Sequence, residues 1–94
     1  NTPDLTTRRL VLAYLADFAS REPDVALLCV NTLQRDLSDP NPALRAMALR
    51  GMAAMRLHSI REIVMICVRQ CLADRSPFVR RAAADALLSV ASMD

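Results

Sequence analysis

Apolar side chains return every three or four residues through most of this chain, and proline or a short polar run interrupts them at intervals. At about 100° per residue, that spacing lays each apolar set along one face, so five helices are expected. In the first, about Asp4 to Ser20, Leu5, Leu12, Leu15, Ala16 and Ala19 share a face from which Arg8 and Asp17 turn away. Pro23 opens the second, where its missing N–H costs nothing, and Ala26, Cys29, Val30, Leu33 and Leu37 carry the stripe to about Leu37. Asn41 caps the third, Pro42 is its first residue, and Leu44, Met47, Ala48, Met52 and Met55 form its face to about Met55. Ser59 and Glu62 have the spacing of a capping box for the fourth, about Ile60 to Ala73. Ser76 and Pro77 repeat the cap-plus-proline device for the fifth, Phe78 to about Ser92, which turns Val79, Ala82, Ala83, Ala86, Leu87 and Val90 inward.

The chain also repeats itself. Asp39-Pro-Asn-Pro42-Ala-Leu44-Arg45 returns 35 residues later as Asp74-Arg-Ser-Pro77-Phe-Val79-Arg80. A degenerate copy precedes both: Thr7-Arg8-Arg9-Leu10 lines up with Leu44-Arg45-Ala46-Met47 at an offset of 37, without the Asp and Pro. The units are then 1–20, 21–56 and 57–94. A period in the high thirties, with one helical hairpin per unit and Pro-x-φ-Arg at its second helix, resembles an α-solenoid of the HEAT and armadillo kind. The expected fold class is all-α, with about five antiparallel helices whose alanines let neighbouring axes approach closely. Asp39, Pro42 and Arg45, with Asp74, Pro77 and Arg80, read as a structural ladder. Each Asp lies at a helix N-terminus, and each Arg can reach a neighbouring turn's Asp. An odd number of helices and the lack of polar capping repeats point to a piece of a longer superhelix, or to pairing through open ends.

Composition narrows the function. With 53% apolar and 3% aromatic residues, the core must be built from Leu, Val, Ala and Met. The net charge of +2 has no block of like charges behind it, which argues against nucleic-acid binding. All twelve cations are Arg, which composition explains as readily as a demand for guanidinium chemistry. Cys29, Cys67 and Cys71 fall in apolar helical runs, where a thiol serves as a small hydrophobe. With His58 nine residues before Cys67 they lack both the spacing and the fourth ligand of a zinc site. No secretory signal is visible, so a cytoplasmic setting is expected. Arg and Asp interrupt every apolar run before it could span a bilayer.

No catalytic constellation is present, and no cofactor or metal is expected. The chain has one His, no Gly-rich phosphate loop, and acids at Asp17, Asp24, Asp36 and Asp85 that share no motif. One local anomaly stands out instead. Val25-Ala-Leu-Leu-Cys-Val30 is apolar all the way round its helix, and Leu27 falls between Asn31 and Gln34 on the polar side, with Val30 at the stripe's edge toward it. Leu27 is packed under a neighbouring repeat, is a lone exposed leucine of the ordinary kind, or is part of a partner-docking patch with Val30 and Gln34. Arg50, Arg56, Arg61 and Arg69 are a second candidate, a basic stripe for acidic peptides or lipid headgroups, weighed against an ordinary solvated face.

The combination of Leu10-Val-Leu-Ala-Tyr-Leu15, Pro23-Asp-Val-Ala-Leu-Leu-Cys-Val-Asn-Thr32, Asp39-Pro-Asn-Pro-Ala-Leu-Arg-Ala-Met-Ala-Leu-Arg50 and Ser76-Pro-Phe-Val-Arg-Arg-Ala-Ala-Ala84 resembles the N-terminal trunk of β-adaptins, over the whole chain. These are the large β subunits of heterotetrameric vesicle-coat adaptors. Asp24-Val-Ala-Leu-Leu28 together with Leu33-Gln34-Arg35 and Ala73-Asp-Arg-Ser-Pro77-Phe-Val-Arg80 is most similar to the type-three, endosomal and lysosomal, subtype. The resemblance implies a non-enzymatic structural and recruitment segment in intracellular protein transport. It implies large, medium and small adaptor subunits as partners, and peripheral attachment to Golgi or endosomal membranes through the complex. In Golgi-type relatives a GTP-loaded Arf-class GTPase docks at the positions matching Leu27 and Val30. The family trunk commonly carries Lys where this chain has Arg or nothing, a departure that bears on headgroup contacts. The competing expectation is a generic HEAT scaffold of the nuclear-transport or phosphatase kind, with a peptide groove and no obligate subunits. A repeat accessory of an enzyme, such as a bilin lyase, ranks last for want of an acidic or His-bearing pocket.

Overall fold

The computed structural model describes residues 21–93 together with Thr6, Thr7, Arg9, Leu10, Val11, Tyr14 and Phe18, all seven of which are helical. The inward face expected for the first helix, Leu5, Leu12, Leu15, Ala16 and Ala19 with Arg8 and Asp17 opposite, lies outside the described residues. Four longer elements follow: α1 (Pro23–Asp36), α2 (Pro42–Met55), α3 (Arg61–Leu72) and α4 (Pro77–Ala91), with a 3-10 turn at His58–Ile60 before α3. No strand occurs among the described residues, and the chain is all-α, as its spacing predicts.

Each start has a local cause. Pro23, Pro42 and Pro77 all occupy first-turn positions, where a fixed φ favours the helix and no N–H is lost. The Asn41 side chain accepts from the Ala43 N–H at 2.9 Å, the cap expected there. Ser76 departs from the expectation. Its hydroxyl caps nothing, and its own N–H donates to Asp74 Oδ1 at 2.8 Å. The capping box at Ser59 and Glu62 is also absent: Ile60 stands at the N-cap of α3 with no side-chain bond. Ile60 is 1% exposed, and the 3-10 turn that drives it into the core, with its N–H on the Leu57 carbonyl at 3.2 Å, takes Ser59 out of the cap position.

α2 lies at the centre. It packs most extensively on α4, then on α1 and α3, while α3 and α4 form a second hairpin. The short links between α1 and α2, and between α3 and α4, require antiparallel neighbours. Burial follows from that position. Ala26, Val30 and Leu33 of α1 face α2, and Val64, Cys67, Val68 and Cys71 of α3 continue the same core. α4 turns in Val79, Ala82, Ala83, Ala86 and Val90, as expected. α2 buries a face shifted and widened from the one expected of it. Arg45, Ala46, Leu49 and Ala53 are covered as well as Ala48, Met52 and Met55, while Leu44 and Met47 are only half-buried, because helices lie on several of its sides. Cys67 and Cys71 are buried thiols and Cys29 is half-buried. Burial pushes Cys67 and Cys71 above the usual thiol range, which keeps both protonated as small core hydrophobes.

α2 ends on Arg56, whose φ of 51° and ψ of 45° are left-handed in a residue that carries a Cβ. The strain is held by its guanidinium. Nη1 donates to the Ser89 carbonyl at 3.2 Å and to Ser89 Oγ at 3.0 Å, and Nη2 to Ser92 Oγ at 3.3 Å. Glycine relieves the strain where alanine keeps it, so Arg56→Gly should be more stable than Arg56→Ala by about 1 kcal/mol in urea unfolding. Equal stabilities would show that the left-handed turn costs nothing here.

Candidate partner-docking site

The ladder residues come together as a joint between the two hairpins. Arg45 is 7% exposed, the one buried charged residue among those described. Its Nη1 donates to the carbonyls of Asp39 at 2.8 Å and Pro40 at 3.1 Å, which ties it to the turn that leads into its own helix. Its Nε and Nη2 each donate at 3.0 Å to Asp74, one to each carboxylate oxygen. Such a fork satisfies a guanidinium and a carboxylate in one geometry, which an ammonium cannot do. The Arg45 guanidinium, and after it the Ser76 N–H, hold the Asp74 carboxyl below the usual carboxylate range. The hydrogen bond to Asp74, outweighing desolvation, raises Arg45 in turn.

Arg80 adopts the first half of this arrangement. Its Nη1 donates to the Asp74 carbonyl at 2.8 Å, six residues back, as Arg45 does to Asp39. A second link between the hairpins, Arg50 to Asp85 at 3.1 Å, has both side chains about half exposed, at 49% and 54%. It contributes at most about 1 kcal/mol.

The outward face of α1 is where the anomaly sits. Leu27 is 48% exposed, in agreement with the helix geometry, and the next residue, Leu28, is 68% exposed. The other two expected patch residues are placed differently. Val30 is 1% exposed and belongs to the core, because it points at α2 with Ala26 and Leu33, so its side chain is not available to a partner. Gln34 is exposed at its surface, but its Nε2 donates to Cys67 Sγ at 3.9 Å and so leans toward α3. Leu28 was not marked by the stripe, although the all-round apolar run from Val25 to Val30 was signal enough that two leucines must face out.

The basic stripe does not form a free surface. Arg50 is engaged by Asp85 and Arg56 by Ser89 and Ser92, Arg61 is half-buried with an Nε that meets no acceptor, and Arg69 is exposed on α3. Among the described residues no three His, Cys, Asp or Glu side chains converge as metal ligands, and no helix is long and apolar enough to cross a membrane.

Comparison with known proteins bears on this arrangement. The family model described as the adaptin N-terminal region matches residues 1–94. The chain is 42% identical over 83 residues to AP-1 complex subunit beta-1 of Homo sapiens, covering 88% of this chain and 9% of that protein. It is 44% identical over 87 residues to AP-3 complex subunit beta of Schizosaccharomyces pombe, covering 93% and 12%. With AP-3 complex subunit beta-2 of Mus musculus it shares 38% over 91 residues, covering 97% and 8%. The chain thus spans about a tenth of the length of these relatives, and the two subtypes match it about equally. A repeated helical hairpin joined by an arginine–aspartate fork, and a family match over every residue, agree: the chain belongs to the adaptin N-terminal-region family, in its β-adaptin branch.

Proposed function

We propose that this chain is a structural and recruitment segment of an adaptor-complex β subunit, working in vesicle-coat assembly through protein–protein contacts and catalysing nothing. The names of its relatives, subunits of AP-1 and AP-3 complexes, support the first part. The partners are then the other adaptor subunits, large, medium and small, and membranes are reached peripherally, through the complex, at Golgi or endosomal surfaces.

The recruitment face is the outer side of α1, and the observation that carries it is the exposed Leu27, with Leu28 beside it, on a helix whose Ala26, Val30 and Leu33 enter the core. An exposed leucine beside Leu28, rimmed by the exposed polar residues Asn31 and Gln34, has the composition of a small hydrophobic anchor with a polar margin. We assign it to an Arf-class GTPase in its GTP-bound state. Val30 acts from beneath, by fixing the helix that presents Leu27.

The test is one purification. Full-length protein carrying Leu27→Asp, recovered from its own cells, should retain a second large, a medium and a small subunit. It should also lose a GTP-loaded Arf protein by at least about tenfold in affinity, the scale of a buried anchor. Helical circular dichroism should be unchanged, since Leu27 supports no core contact. Undiminished GTPase binding would remove Leu27 from the account, and recovery of no adaptor subunits from the unmutated protein would leave a free-standing scaffold in its place.

A further inference from the structure

We draw no further inference here: the strongest candidate, the outward surface patch of exposed Leu27 and Leu28 on α1 with exposed Ile66 on the neighbouring α3, belongs to the docking face already described, and nothing in the structure shows what else covers it.

Discussion

Replacing Asp74 with asparagine should lower the melting temperature of this chain by roughly 10 °C at neutral pH, the scale of breaking a largely buried ion pair in a domain of this size. The amide keeps the shape but removes the charge and one of the two acceptors in the fork with Arg45. Arg45→Lys should behave similarly, because an ammonium cannot hold the Asp39 and Pro40 carbonyls and both carboxylate oxygens together. The pH dependence identifies the charge as the cause. The folded carboxyl of Asp74 lies below its unfolded value, so its stabilisation is fully present above the unfolded value of about 3.9. It is lost as pH falls through the lower, folded value. The raised Arg45 has the opposite sign and loses its contribution only at strongly alkaline pH, outside the acid window. The melting temperatures of the original and Asp74→Asn chains should therefore begin to approach each other as pH falls below about 4. A difference that stays constant down to pH 2 would assign the effect to packing.

Leu49→Ala should be the most damaging single apolar truncation in α2, at about 3 kcal/mol in urea unfolding. Leu49 is 0% exposed on the central helix, so the void it leaves is walled by several elements at once and cannot close by moving one of them. Leu28→Ala removes the same atoms from a side chain that is 68% exposed and should stay within about 0.5 kcal/mol. A small effect at Leu49, with an unchanged denaturant slope, would mean that α2 is not the centre of the core.

The local chemistry of this chain was legible residue by residue. Proline at the first turn of three helices, the Asn41 cap and the inward stripes of α1 and α4 depend on neighbours within a few positions, and the structure places them as the spacing predicts. The failures were those in which a distant contact outweighed a local preference. Ser59 and Glu62 have the letters of a capping box, but burial of Ile60 tightened the chain into a 3-10 turn and displaced the cap. Val30 is in the core, as the packing stripe of α1 expects, and not in the docking patch at that stripe's edge, because the width of a buried face depends on how many helices flank it. For the same reason Leu49 and Ala53 lie outside the stripe expected of α2: they are buried because three helices pack on it, and nothing in the periodicity of α2 alone reports that.

The amino-acid sequence alone settled the helices, the repeat, the residues able to form the ladder and, from helix geometry, the outward turn of Leu27, because each follows from backbone propensities and from the 35-residue register. Three-dimensional packing decided which arginine became a buried joint and which stayed at the surface. Arg45 and Arg80 occupy the same place in the same motif, and the presence of Asp74 across the interface makes Arg45 a buried joint while Arg80 stays exposed.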